Sequence, residues 1–396
     1  MQHEAVETAQ DLLARLVAFD TTSHRSNMPL ISFVRDYLAD HGVESQLIAT
    51  PDGEKANLFA TLGSMADAVP DADGRVGIGL SGHTDVVPVT GQAWDTDPFT
   101  LTEKDGKLYG RGTCDMKGFI ACALAAVPAL KARTLKTPVH LLLSYDEEVG
   151  CTGVRPMIEQ FGSTLPTPQM VIVGEPTTME VVDGHKGATR LRVEVTGRAA
   201  HSSMAHLGAN AVMAAARMIA EAHACHRACV EGPQYDRFTP PHPTVQVNLV
   251  EGGFAQNVVP VTSVFAVDIR VLPGRDTVGE VRARLQRFAD EVILPELRAV
   301  APEANVSIEE TNSIPPFLAG EASQATTMAL KLAGTNDISA VSYGTEAGLF
   351  QEGGAPSIVC GPGDIAQAHT ANEFLVKDEL GKCMAFMDRL GDQVAA

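Results

Sequence analysis

The chain is short of positive charge. Thirty Lys and Arg face 49 Asp and Glu in 396 residues, a net charge of −19. No run of basic residues offsets this, so no general attraction to nucleic acid or to an anionic membrane is expected. A long apolar run is also missing. Phe119 to Leu130 is broken by Pro128 and reads as a buried helix rather than a span. The N-terminus has no basic segment followed by an apolar core, so no signal peptide is read there. The seven cysteines are odd in number, scattered and never in a CxxC pair, which argues against a disulfide framework and for a reducing, cytoplasmic setting. There is no internal repeat and no low-complexity tract. What remains, 45% apolar and 20% charged, is an ordinary globular composition of two to three domains.

Two amphipathic helices fill Glu4 to Gly42, separated by Thr21-Thr22-Ser23. Short apolar runs follow at Asn57–Leu62, Val76–Leu80, Val139–Ser144 and Val171–Val173, with a helix over Gly118–Ala132 between them. Strands alternating with helices predict an α/β domain with a central, mostly parallel sheet. The pattern changes near Gly184. Thr189–Thr196, Thr244–Val250, Ser263–Leu272 and Asn305–Glu310 alternate as half-exposed strands, and helices cover Asn210–Val230 and Val278–Val300, the latter broken at Pro295. This β-α-β-β-α-β order predicts a smaller α+β, ferredoxin-like domain over residues 184–313. It interrupts a larger one made of 1–183 and 314–396, in which helix–strand alternation returns from Ala322 with strands at Ile338–Val341 and Ser357–Val359. Val69–Gly74 reads as a surface loop.

Polar residues recur just past the apolar strands, where parallel sheets collect their reactive groups. Ser81-Gly-His83-Thr-Asp85 places an imidazole and a carboxylate two residues apart, on one side of a strand. Tyr109-Gly-Arg-Gly-Thr-Cys-Asp115-Met-Lys-Gly118 opens the apolar helix, and helix capping by Asp115 is its plainer reading. Asp146-Glu147-Glu148 ends a strand with three acids whose repulsion a cation would relieve; a solvated turn is the plainer alternative. Gly174-Glu175-Pro176 and the late His369 repeat the pattern. Five hard or borderline ligands at the ends of strands of one sheet point to a metal centre. By contrast, His223, Cys225, His226 and Cys229 sit in an alanine-rich helix and are set aside as a metal site.

In this order the motifs resemble those of the M20 family of di-zinc amidohydrolases and peptidases, nearly end to end. The resemblance implies a zinc-peptidase-like catalytic domain interrupted by a dimerisation domain, and hence a homodimer. It implies two divalent ions, Zn2+ or Co2+, one held by His83 and Glu175, the other by Glu148 and His369, with Asp115 bridging and a cis bond after Asp115. Asp85 would orient His83, and Glu147 would be the general base. His201 of the smaller domain would act on the oxyanion in the other subunit's site. Asn257, Arg270, Lys186, Gly344, Thr345 and Glu346 match positions expected to meet substrate. The substrate implied is a small acylated amino acid. One carrying an α-carboxylate and a side-chain ammonium fits best, with Arg270 or Lys186 for the first and Glu346 for the second. A broader N-acyl-amino-acid hydrolase and a desuccinylase stay open. Cys114, beside Asp115, either tunes the site or packs.

Overall fold

The structure, a computed structural model, describes residues 2–320 and 323–395. Ala322, from which helix–strand alternation was expected to return, lies outside them. The chain divides into two compact units. The larger comprises 1–184, 317–339 and 345–396, and the smaller 185–316 with 340–344.

The larger unit is built on a nine-stranded mixed sheet. Its centre is four parallel strands in the spatial order Val139–Ser144, Ile78–His83, Met170–Val173, Ser357–Val359. Every residue of the four is buried, as expected of a parallel sheet covered on both faces. Antiparallel strands flank them, Ala56–Leu62 and then Ser45–Ala49 on one side and Val181–His185 on the other. The helices Gln2–Val17, Gly118–Ala125 and Lys377–Ala395 pack on one another. The apolar stretch Thr113–Lys131 is long and apolar enough, by length and composition, to cross a membrane, but 89% of its most apolar window is buried in this core. Because the four central strands run the same way, their carboxyl ends share one edge of the sheet.

The smaller unit is a four-stranded antiparallel sheet in the order Thr244–Gly252, Thr262–Val271, Gly187–Thr196, Asn305–Ile314. Chain order is strand, helix Ala211–Glu231, two strands, helix Thr277–Phe288, strand. Its core comes from inward-facing alternate residues such as Leu191, Val193, Val195, Phe265, Val267 and Ile269, against Ala215, Met218 and Leu285. The expected break near Pro295 is a wider, π-helical turn at Ala289–Ile293 through which the helix continues, and Pro295 sits in the first turn of its last stretch, Leu294–Arg298.

Residues 340–344 were expected with the larger domain. In the structure they belong to the smaller unit, where Lys186 N donates to Val341 O at 3.2 Å and Ser342 Oγ to Thr239 O at 2.6 Å.

His140, on the central strand Val139–Ser144, is fully buried. Its Nε2 lies 2.8 Å from Val76 O and its Nδ1 3.0 Å from Thr61 Oγ1, partners that suit a neutral ring. Burial depresses its pKa from 6.5 to about 4. The unfolded chain therefore takes up this proton first as pH falls. The stability tied to the neutral ring is whole above pH ~6.5 and is lost toward pH ~4, about 3 kcal/mol in all. His140→Gln can keep both hydrogen bonds and has no charge to gain. Urea unfolding between pH 7 and 4 is expected to show a shallower loss of stability in that variant than in the unaltered protein.

Candidate metal centre

Three of the four central strands deliver acidic or imidazole groups to the shared edge. His83 is the last residue of its strand; Glu147 and Glu148 follow Ser144, and Glu175 follows Val173. Gly174 is required before Glu175, because a Cβ there would lie 1.9 Å from Cγ of the Phe119 ring. His369 enters from a loop with a left-handed φ of 61°.

The structure brings the five expected ligands together. His83, Asp115 and Glu175 present ligand atoms within 4.8 Å of one another, and so do Asp115, Glu148 and His369. His83 Nε2 lies 2.9 Å from Asp115 Oδ1 and 3.7 Å from Glu175 Oε1. His369 Nε2 lies 3.3 Å from Asp115 Oδ2 and 2.8 Å from Glu148 Oε2. Asp115 therefore offers one oxygen to each group. It does not cap the following helix, whose N-cap, Lys117, makes no side-chain capping bond. The Asp115–Met116 peptide bond is cis, as the resemblance implied.

The electrostatics of this pocket call for a cation. Burial and neighbouring carboxylates, Asp115 among them, push Glu148 up to about 7 and Glu175 well above the usual carboxylate range. Burial opposes ionisation of Asp115 too, but hydrogen bonds from His369 and His83 hold it low. Glu148 Oε1 is buried with no hydrogen-bond partner. Two imidazoles, three carboxylates and an orphaned carboxylate oxygen fit a pair of divalent ions of the zinc or cobalt kind.

Glu147 turns away from Glu148. Its Oε1 accepts from Cys151 Sγ at 3.1 Å, while Glu148 faces His369. Burial raises Glu147 to about 8. Asp85 acts on both sides of the cluster, though not through the strand alternation expected of it. The strand stops at His83, and His83 Nδ1 lies 2.9 Å from the Asp85 backbone carbonyl and 3.6 Å from its carboxylate. That carboxylate instead accepts from the backbone amides of Glu147 and Glu148 and from Ser23 Oγ at 2.8 Å, fixing the acidic turn.

One supporting residue was not anticipated. Glu373, 1% exposed, accepts from Arg111 Nη1 and the Gly112 amide on one oxygen, and from the Cys114 and Asp115 amides on the other. It holds the glycine-flanked loop that presents Asp115. The only signal in the sequence was a carboxylate four residues after His369 and a lone arginine between two glycines. Cys114 packs: it is buried, and Sγ donates to Asp364 O at 3.3 Å.

Several expected substrate contacts lie elsewhere. Glu346 is 1% exposed, and its Oε2 accepts from Ser81 Oγ at 3.4 Å. It is an interior carboxylate, raised by burial to about 7, and its other oxygen is buried without a hydrogen-bond partner. Thr345 is fully buried, and its Oγ1 accepts from Ala347 N. Within the smaller unit, Lys186 Nζ donates to the carbonyls of Pro240 and His242 and so braces that loop, with one N–H of its three left over. Arg270 Nε donates to Asp268 Oδ1 at 2.9 Å, and the Arg270 side chain is one-third exposed. His201 is exposed, with Nδ1 3.2 Å from Ser203 N; Asn257 is exposed, and Gly344 is half-buried. The helix bearing His223, Cys225, His226 and Cys229 forms no ligand cluster among the described residues.

Residues 79–393 match the sequence profile of peptidase family M20/M25/M40. An acetylornithine deacetylase of Myxococcus xanthus is 38% identical over 386 residues, 95% of each chain. One of Yersinia pestis is 34% identical over 362 residues, 90% of this chain and 88% of its own. The aminopeptidase PepT of Bacillus cereus shares the fold at a TM-score of 0.75 and 20% identity, covering 99% of both chains. The YXEP protein of Bacillus subtilis, a dinuclear metal-binding peptidase of the M20 family, does so at 0.67 and 14%, covering 99% of this chain and 98% of its own.

Glu373→Gln would set an amide N–H against two of the four donors and leave the buried Arg111 guanidinium uncompensated. A loss of about 3–5 kcal/mol in urea unfolding is expected, together with weaker retention of metal on dialysis. Unchanged stability would refute the bracing role.

Proposed function

The chain belongs to peptidase family M20/M25/M40, and from that premise we propose that it removes the acetyl group from N2-acetyl-L-ornithine, giving acetate and L-ornithine, a step of arginine biosynthesis. It is a hydrolase of amide bonds that works with bound metal ions. The observation that carries the substrate is its 34–38% identity to acetylornithine deacetylases over 90–95% of its length.

His83 and Glu175 would hold one ion, Glu148 and His369 the other, and Asp115 would bridge them. Zn2+ and Co2+ both suit this donor set. When bound, such ions polarise the amide carbonyl and make water acidic enough to attack it. Glu147 takes the proton of the attacking water on its carboxylate and returns it to the departing α-amine. Asp85 keeps Glu147 in place through the backbone of the acidic turn. His201 is assigned to the oxygen that becomes negative in the tetrahedral intermediate, and Arg270 and Asn257 to the substrate carboxylate. Glu346, being interior, is assigned to neither end of the substrate.

We assign the protein to a cytoplasmic homodimer formed through the smaller unit. The edge strand Thr244–Gly252 supports this, since Leu249 and Val250 are 54% and 59% exposed and Phe254, just beyond it, 82%. An apolar, unpaired strand edge of this kind is a ready surface for a second copy.

Two measurements test the reading. Metal-stripped protein is expected to release ornithine from N-acetyl-L-ornithine only after zinc or cobalt is restored. No release from folded, metal-loaded protein would discard this substrate in favour of succinylated or other acylated amino acids. Glu147→Gln is expected to lower turnover roughly a hundredfold or more while still binding metal. For the dimer, Val250→Lys is expected to sediment as a monomer. A dimer that survived both this change and Phe254→Asp would place the interface elsewhere.

A further inference from the structure

We propose that Cys151 is a positioning residue for the general base, pinning one oxygen of Glu147 so that the other is presented to the water. The proposal rests on Glu147 being that base.

The geometry begins in the backbone. The amides of Gly150 and Cys151 both donate to Glu147 O at 2.8 Å, and Thr152 N donates to Asp146 O at 3.1 Å, so the acidic turn folds back on itself. That fold places Cys151 at φ 54°, in the left-handed region that glycine usually occupies. A side chain is kept there nonetheless, and it is fully buried. Its Sγ lies 3.1 Å from Glu147 Oε1, a close thiol–carboxylate contact. Burial, with Glu147 beside it, pushes the thiol well above its ordinary range, so it carries the proton that it donates.

The consequence is an asymmetric carboxylate. Among the described residues, Oε1 accepts from the thiol and Oε2 accepts from no protein group. A carboxylate free to rotate offers either oxygen to the water. One held by a single short contact offers the same oxygen in each cycle, which lowers the cost of orientation. A thiol is a weak donor. It can fix the rotamer while taking little from the basicity that proton abstraction needs, which a hydroxyl or an ammonium in its place would diminish more. The neighbouring thiols do not share this arrangement. Cys114 donates to a backbone carbonyl, and Cys122 and Cys360 lie near the carbonyls of Leu380 and Met179.

The test compares the metal-loaded wild-type enzyme with Cys151→Ala, Cys151→Ser and Glu147→Gln. Loss of one weak hydrogen bond to the base predicts a fall in kcat of roughly three- to tenfold for Cys151→Ala, with KM and metal content unchanged and partial recovery in Cys151→Ser. Infrared difference spectra supply a readout that does not depend on turnover. The S–H stretching band removed by Cys151→Ala is expected below the frequency of a free thiol, and Glu147→Gln is expected to shift it upward. Wild-type kcat in Cys151→Ala, failure of serine to recover any of a loss, or a band indifferent to Glu147→Gln would each overturn the proposal. If Cys151→Ala does not fold, Cys151→Ser and the band shift in Glu147→Gln decide it. Wild-type turnover in Glu147→Gln would instead overturn the assignment of the base, which distinguishes that failure from this one.

Discussion

Repulsion among Asp115, Glu148 and Glu175 is the constraint on which the rest of the larger unit depends. Three carboxylates facing one another in a nearly dry pocket cannot all remain ionised unaided. The two imidazoles relieve part of the strain, each hydrogen-bonded to one oxygen of Asp115. The remainder is left for cations, and Glu148 Oε1, buried and unpartnered, shows where the protein's own donors stop. A sheet of parallel strands suits such a cluster, since it brings side chains from distant parts of the sequence to one edge without a long loop between them.

Around that cluster lies a layer of buried groups whose task is to keep the ligands aimed. Asp85 and Glu373 divide it. Asp85 receives the two amides of the acidic turn and Ser23, and so ties Glu147 and Glu148 to the strand end that carries His83. Glu373 receives four N–H groups from the Arg111–Asp115 loop and its arginine. Arg111 reaches further. Its Nη2 donates to Gln92 Oε1, and Gln92 Nε2 donates to the carbonyl of His369 at 2.9 Å. The loops bearing Asp115 and His369 are thereby joined through Gln92, which is remote from both in sequence.

Much of this was legible in the residues themselves. Val139–Ser144, Ile338–Val341 and Ser357–Val359 are strands over the full length that their apolar runs suggested, and His83, Asp115, Glu148, Glu175 and His369 meet at one sheet edge. Signals of that kind are local: an apolar run, a glycine, a carboxylate. The features that escaped were long-range. The strands Ser45–Ala49 and Val181–His185 have no strong run of their own and exist because a neighbour offers an edge. Glu373 could not be paired with Arg111 across 262 positions by spacing alone. Lys186 and Glu346 were expected to meet substrate because they match family positions and carry the charges that a carboxylate and an ammonium would seek. Two carbonyls in one case and the Ser81 hydroxyl in the other allow both to lie inside.

The boundaries of the two units carry a further consequence, for synthesis. The chain leaves the larger unit after Gly184, returns at Phe317, leaves again for 340–344 and returns once more. Neither unit is therefore complete when its main segment has emerged from the ribosome. The four-stranded sheet can form once Ile314 is available, but the smaller unit lacks its last five residues, 340–344, until thirty more have been made. The strand Ser357–Val359, which completes the parallel centre of the larger sheet, comes later still. A fragment cut at the apparent boundaries, 185–316, would therefore be missing the five residues 340–344 that group with it.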